Sequence, residues 1–263
     1  MPSVWREVGD RVWIRRYASL DQTIGVISGT DGLVVIDTRA HHRAADELRD
    51  DLKQLPGSVV AAVNTHGHWD HAFGNARFAT TPIWGHSRSA AMITEGGEET
   101  RTRLLGQYPG EPFDEVELTP PSDLIEESAT LELGDRRIEL RHLGLGHTDN
   151  DVIVLVPEAS VLFAGDLLEN APAPGFGDSY PMSWPATGRR LLDLVGGTVV
   201  PGHGDPFDGP FAEDQVAALG ALAELCRDVV GGAIDVDRML RESPFPPEPT
   251  REALVRARLE LSE

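Results

Sequence analysis

Residues 59–71 read V-V-A-A-V-N-T-H-G-H-W-D-H, an apolar run that passes directly into a cluster of possible metal ligands. The run at 59–64 is too short for a helix and is typical of a buried strand. His66 and His68 alternate with Gly67, so both imidazoles can project to one side of an extended loop. Asp70 and His71 then need only a turn to add two ligands. Imidazole with carboxylate suits Zn²⁺, and also Fe or Mn.

Three more candidate ligands follow predicted strands elsewhere in the chain. His147 lies in G-L-G-H-T-D-N, Asp166 in F-A-G-D-L-L-E and His203 in V-V-P-G-H-G. Loops at strand ends can gather over one edge of a layered fold, where sites commonly form. Seven ligands are too many for one zinc ion. They suit two, because each tetrahedral ion takes three or four protein groups and leaves a place for water.

The segments N-T-H-G-H-W-D-H, G-H-T-D, A-G-D and P-G-H-G resemble, in order and spacing, the signature of the metallo-β-lactamase superfamily. The resemblance covers roughly residues 5–205 and includes an N-terminal hairpin that ends in L-V-V-I-D-T. It implies an αβ/βα sandwich with two metals at the edge between its sheets. By the same resemblance, the first metal is bound by His66, His68 and His147. The second is bound by Asp70, His71 and His203, and Asp166 bridges both.

The pattern of elements along the chain also predicts an α/β fold. Short apolar strands meander in each half, and G-T-D-G at 29–32 predicts a hairpin turn. Helices interrupt and follow these strands. We therefore expect two mixed β-sheets packed face to face with helices on both outer sides. We expect one domain over residues 1–263, with a helical C-terminal region at 211–263.

Composition narrows the possible partners to a small-molecule substrate. The chain has 263 residues and a formal net charge of −20, which disfavours binding to nucleic acid or to an anionic membrane. No apolar run approaches the length of a membrane span. The first residues lack a signal-peptide pattern, so we expect a cytoplasmic protein. The single cysteine, Cys226, forms no internal disulfide and is expected in the core. The sequence does not indicate an oligomeric state.

Two positions separate this chain from the commonest class of zinc β-lactamases that it resembles. Those enzymes carry cysteine at the position of Asp166 and often lysine at that of Glu169. A carboxylate at 169 would repel an anionic β-lactam by about 1–4 kcal/mol. We therefore expect weak or absent β-lactamase activity. The run G-H-T-D-N-D-V-I-V-L-V is nevertheless close to that class, so a true metallo-β-lactamase remains an alternative.

The expected reaction is hydrolysis by a metal-bound hydroxide that attacks a carbonyl carbon. Bridging by Asp166 resembles the glyoxalase II-like thioesterases and the quorum-signal lactonases. The substrate would be a lactone, ester, thioester or amide, and Asp70 would orient the nucleophile or pass a proton onward. The resemblance also leaves open a persulfide dioxygenase, which uses one iron on the same scaffold.

The substrate pocket is predicted from two long connecting segments, at about 95–118 and 171–188. Because the second segment has no cluster of arginine or lysine before Arg189, we expect a mostly neutral or apolar substrate. The residues predicted to line the pocket are Trp69, Glu169, Phe176, Tyr180 and Trp184. Packing inside the second loop is the alternative for its aromatic residues.

Overall fold

Residues 4–171 and 173–262, which the computed structural model describes, form twelve β-strands in two mixed sheets. The first sheet contains β1 (Arg6–Gly9), β2 (Val12–Tyr17), β3 (Gln22–Gly29), β4 (Gly32–Ile36), β5 (Val59–Val63), β6 (Ile83–His86) and β7 (Asp123–Ile125). The second contains β8 (Ser128–Glu132), β9 (Arg137–Arg141), β10 (Ile153–Val156), β11 (Val161–Gly165) and β12 (Thr198–Pro201). The predicted sandwich of two mixed sheets is confirmed.

Strand direction changes once within each sheet. The first sheet runs in chain order from β1 to β7, antiparallel as far as β4 and parallel from β4 onward. The second runs β12-β11-β10-β9-β8, and only its β11–β12 pair is parallel. Because parallel neighbours end on the same side, β4 and β5 in one sheet and β11 and β12 in the other bring their carboxyl ends to common edges.

The turn predicted at 29–32 joins β3 to β4. Gly32 has φ +139°, a conformation that residues with a Cβ rarely adopt. Gly29 and Gly32 face each other across the antiparallel pair, so Thr30 and Asp31 form a two-residue loop. The register of the N-terminal hairpin is therefore set by its glycines.

Helices cover both outer faces of the sandwich. They are α1 (His42–Leu52), α2 (Trp69–Ala72), α3 (Ser87–Ala91), α4 (Gly97–Gln107), α5 (Trp184–Leu192), α6 (Gly209–Val230), α7 (Val236–Glu242) and α8 (Pro247–Glu260). α1 packs on the first sheet, whereas α5, α6 and α8 pack on the second. In the part of the chain that the structure describes, no helix has both the length and the apolar character needed to cross a bilayer.

The core follows the alternation of side chains along the strands. Val34 and Ile36 of β4 face the inter-sheet core, while Leu33 and Val35 face α1. In β11, Phe163 points between the sheets and Leu162 points toward the C-terminal helices. Both faces of these strands are apolar because both are covered, as expected for strands inside a sandwich with outer helices.

Two segments that the sequence predicted as loops contain helix. Within 95–118, a π-helical turn at Met92–Gly96 leads directly into α4. Within 171–188, α5 already begins at Trp184, with Pro185 in its first turn. Pro is favoured at the first positions of a helix because its missing N–H costs no hydrogen bond there. The second connecting loop is therefore shorter than predicted.

Candidate metal centre

The seven predicted ligands meet at one edge of the sandwich, where strands of both sheets end. The histidine-rich stretch follows β5, Asp166 follows β11 and His203 follows β12. The backbone of Gly202 passes so close that an added Cβ would lie 2.0 Å from Oδ1 of Asp166. Glycine is required in P-G-H-G because no side chain fits between this strand end and the carboxylate.

Three histidines form a first group of facing nitrogens. Nδ1 of His68 lies 3.0 Å from Nε2 of His66 and 3.0 Å from Nε2 of His147. A hydrogen bond needs one donor and one acceptor, so three nitrogens directed at one point cannot all be satisfied by each other. Their ligand atoms lie close enough together to hold a single ion. We refer to these residues as the first group.

Asp70, His71 and His203 form the second group. Nε2 of His71 lies 3.2 Å from Nε2 of His203. Oδ2 of Asp70 lies 3.2 Å from the same atom of His203 and 3.6 Å from Nε2 of His71. The consecutive residues Asp70 and His71 both face the centre because they lie in α2, a single helical turn.

Asp166 lies between the two groups. Its Oδ2 is 3.6–3.7 Å from Nε2 of His66 and His147, and 3.4 Å from Nε2 of His71 and His203. Its Oδ1 is buried and, among residues 4–171 and 173–262, has no hydrogen-bond partner. A carboxylate with one oxygen amid four imidazoles and the other unpartnered is placed to bind two cations at once.

Hydrogen bonds from the outer nitrogens fix how three imidazoles face the centre. Nδ1–H of His71 donates to Asp37 over 2.9 Å, and Nδ1–H of His203 donates to the Leu20 carbonyl over 2.7 Å. In His68 the outer nitrogen is Nε2 instead of Nδ1, and its N–H donates to Oδ2 of Asp178 over 2.9 Å. Each bond leaves the inner nitrogen free as an acceptor, the arrangement usual for histidine ligands.

The sequence did not identify Asp37 or Asp178. Asp37 ends the segment L-V-V-I-D, and the strand-end argument used for Asp166 would also have selected it. Its carboxylate accepts a hydrogen bond from the backbone N–H of Thr65 as well as from His71. Asp178 is 110 residues from His68 and lies in a loop, so no local pattern could have paired the two.

The histidine pKa values are shifted in different directions within the centre. Burial, followed by the neighbouring His68, lowers the pKa of His147 to about 4, and burial lowers the pKa of His66 well below its usual range. Burial opposes charge on His71 and His203 as well, but the carboxylates of Asp166 and Asp70 outweigh it and raise both pKa values. Burial also opposes charge on His68, but its hydrogen bond to Asp178 and the nearby carboxylates outweigh it and raise its pKa. The lowered pKa values therefore identify His66 and His147 as neutral ligands, whereas Asp70 and Asp166 bring negative charge to His71 and His203.

This donor set fits two divalent cations. Nitrogens face one another at 3.0–3.2 Å, and the buried Oδ1 of Asp166 lacks a partner among the described residues. Metal ions would satisfy the inner atoms and neutralise the carboxylates of Asp70 and Asp166. Nitrogen and carboxylate donors are compatible with zinc, iron or manganese.

A cavity of about 390 Å³ opens above the centre and is acidic. Its lining includes Asp21, Asp70, Asp166, Glu169 and Asp178, and none of the described residues that line it is lysine or arginine. Burial, reinforced by Asp166, raises the pKa of Glu169 well above its usual range. The raised pKa favours the neutral form of Glu169, so its carboxyl repels an anion less than expected from the sequence. The described residues that line the cavity still offer an anionic substrate no cationic side chain.

The prediction that Phe176 and Trp184 line the substrate pocket is wrong. Both side chains are completely buried, their rings 5.5 Å apart, in the core beneath the second sheet. The indole N–H of Trp184 donates to the Leu167 carbonyl, which ties the start of α5 to the end of β11. The loop turns its aromatic side chains inward because the C-terminal helices supply apolar surface there. Tyr180 is half-buried next to Arg256 and does not line the acidic cavity.

The C-terminal helix α8 holds the loop that carries Asp178. Nε of Arg256 donates to the Ser179 carbonyl over 2.9 Å, and Nη2 donates to the Asp178 carbonyl over 3.2 Å. Glu260, one turn further along, accepts the backbone N–H of Met182 over 2.8 Å. The position of Asp178 against His68 therefore depends on side chains near the end of the chain.

Replacing Asp178 by asparagine is expected to lower metal affinity about 10- to 100-fold, the usual effect of losing such an outer partner. The amide keeps the size of the side chain but removes the charge that favours Nε2–H on His68. Competition against a chelator with known affinity measures the change. Asp193→Asn, at an exposed position after α5, is the matched control and should leave affinity unaltered. Equal affinities for D178N and wild type would contradict the role given to this carboxylate.

Comparison with known proteins agrees with the geometry. The family profile described as the metallo-beta-lactamase superfamily matches residues 20–203. The metallo-beta-lactamase type 2 of Bacillus cereus is 25% identical over 191 residues, covering 70% of this chain and 67% of its own length. The acyl-coenzyme A thioesterase MBLAC2 of Gallus gallus is 28% identical over 220 residues, covering 76% and 75%. A solved metallo-beta-lactamase from Pontibacter korlensis shares the fold, with TM-score 0.63, 23% identity, and coverage of 82% and 98%.

Proposed function

The chain belongs to the metallo-β-lactamase superfamily of metal-dependent hydrolases, and from that premise we propose that it cleaves a neutral acyl compound with two zinc ions. The bond attacked would be that of a lactone, ester, thioester or amide in a small molecule. The observation that carries the proposal is the pair of donor groups with Asp166 between them. Nucleic acid and membranes are not proposed as partners, because the net charge of −20 opposes both.

In this proposal the first group holds one ion, the second group holds the other, and Asp166 contacts both. Such ions would supply a water with a pKa near 7 and positive charge for a developing oxyanion. Burial opposes the charge on Asp70, but His71 and His203 outweigh it and lower its pKa to about 2. Asp70 therefore stays ionised, and its carboxylate can accept a hydrogen bond that orients the nucleophile.

Two features favour an acyl ester or thioester over a β-lactam. The cavity has no cationic side chain for the carboxylate of a β-lactam among its described lining residues, and Asp166 stands where the resembling β-lactamases carry cysteine. The relative from Gallus gallus is an acyl-coenzyme A thioesterase by name. β-Lactam hydrolysis is the second candidate, because the Bacillus cereus relative is a metallo-beta-lactamase. A mononuclear iron oxygenase receives less support, since seven converging donors exceed the needs of one ion.

A substrate panel tests the proposal. The purified protein, with metal content measured, is assayed with p-nitrophenyl esters, acyl thioesters, lactones, a penicillin, a cephalosporin and a carbapenem. We expect about two zinc ions per chain and kcat/KM on the best ester or thioester at least ~10²-fold above that on any β-lactam, the order of discrimination that pocket contacts supply. One iron per chain, or β-lactam turnover at ~10⁴ M⁻¹s⁻¹ or more, would contradict it.

A further inference from the structure

A second cavity, of about 350 Å³, adjoins the metal centre. It lies between α2 and the helical segment made of the π-helical turn and α4. His68, Gly177 and Asp178 line both this cavity and the acidic one above the metals. The two cavities are therefore adjacent, and the hydrogen-bonded pair of His68 and Asp178 lies where they meet. We call the second cavity the trough.

The trough has apolar side chains at its base and along one side, and Thr100 and Arg103 of α4 also line it. Phe73 and Ile93 are buried at its base, with 3% and 1% of their surfaces exposed. Trp69 and Met92 are half-buried and line it as well. The thioether of methionine adapts to apolar ligands of different shapes. A half-exposed apolar recess that opens onto a catalytic centre is suited to the apolar arm of a substrate.

The trough is also preformed on one side. The indole of Trp69 packs edge-on against Phe113, with ring centroids 5.5 Å apart, and tilted against Tyr108 at 5.7 Å. Residue 69 lies between two predicted ligands, so its backbone is fixed by the metal centre. Little conformational entropy is then lost when a chain packs against this ring.

The opposite side of the acidic cavity is polar and belongs to the second group. Asp70 and His203 line that cavity but not the trough, as do Leu20 and Asp21. The trough adjoins the acidic cavity on the side of His68 and Asp178. An apolar substituent on the acyl carbon therefore fits the side of His68 and the trough, and the polar leaving group fits the side of Asp70 and His203.

We propose that the trough binds the unbranched apolar acyl chain of the substrate. This inference rests on the proposed function and adds a substrate class, namely medium-length acyl esters or thioesters. Each methylene buried in the trough raises kcat/KM about fourfold, until the trough is filled. The acidic cavity contributes no such gradient, so lengthening the alcohol or thiol portion has little effect.

Two threonines of α4 provide a matched pair of variants. Thr100 lines the trough, whereas Thr102 is exposed on the same helix outside it. Thr100→Phe fills the recess, and Thr102→Phe adds the same ring to the surface. kcat/KM is measured on p-nitrophenyl esters from acetyl to decanoyl. We expect wild type and T102F to favour long chains, and T100F to lose that preference.

A binding measurement separates this inference from the proposed function. 1-Octanol, which cannot be hydrolysed, is titrated by calorimetry into metal-free and zinc-loaded protein. We expect wild type and T102F to bind it, and T100F to bind at least about tenfold more weakly, as expected when several methylenes lose their contacts. Octanol binding by a protein that hydrolyses no ester, thioester or lactone of the panel would overturn the proposed function and leave the trough assignment standing. Equal binding by T100F and T102F, or ester hydrolysis independent of acyl length, would overturn the trough assignment.

Discussion

Replacing His147 by alanine is expected to abolish hydrolysis, with kcat/KM lower by at least ~10³-fold, and to lower the metal content of the purified protein. His147 is the one member of the first group that lies outside the H-x-H-x-D-H stretch, and its Nε2 faces both His68 and Asp166. Without it, only two histidines remain at this position, and a bound metal that contributes ~4 kcal/mol of transition-state stabilisation is lost. Steady-state assays on the best substrate, with metal analysis of the same samples, provide the measurement.

The fold should survive this change, because the strands that carry the site pack through apolar cores elsewhere. Circular dichroism of metal-free wild type and metal-free H147A should therefore coincide. His142→Ala is the matched control, since His142 is half-buried, bonds to the Asp151 carbonyl and belongs to neither ligand group. Full turnover and full metal content in H147A would refute the assignment of this residue as a ligand.

Trp184→Ala is expected to destabilise the fold by about 3–5 kcal/mol, the usual cost of removing a buried Trp or Phe ring. The indole is 0% exposed, packs against Phe176 and lies 5.7 Å from the ring of His147. Its removal leaves a cavity and also an unpaired carbonyl at Leu167. The free energy of unfolding, from urea titration of the metal-free protein, measures this loss without the added stability that bound metal confers.

Two further variants separate packing from hydrogen bonding. Trp184→Phe retains most of the ring volume but not the N–H donor, so we expect a smaller loss, of about 1–3 kcal/mol. Trp13→Ala, at a half-buried position in β2, should cost less than W184A because less surface is buried there. If W184A raised KM with unfolding free energy unchanged, the side chain would belong to the pocket and not to the core.

The metal-binding residues could be predicted from the sequence more readily than the segments around them. Histidines and aspartates at strand ends are unusual enough in type and spacing that few arrangements other than a metal centre explain them. The short continuous apolar runs in L-V-V-I-D and V-L-F-A-G likewise predicted buried strands, since such runs are too short for helices and are typical of strands covered on both faces. The helix in segment 95–118 could not be predicted in this way, because glycines and acidic residues are typical of a loop. Tertiary contacts stabilise the helix there.

The sequence by itself determined the α/β sandwich and the seven candidate ligands, because strand periodicity and ligand chemistry are local properties. Only the tertiary structure decided how close the ligands come and which of their nitrogens face inward. It also decided that Asp178 orients His68 and that Arg256 binds the backbone of Asp178. Only the tertiary structure, too, buried Phe176 and Trp184 and opened the trough beside Met92. These features depend on contacts between residues far apart in the chain, and whether a side chain lines a pocket or a core depends on what packs over it.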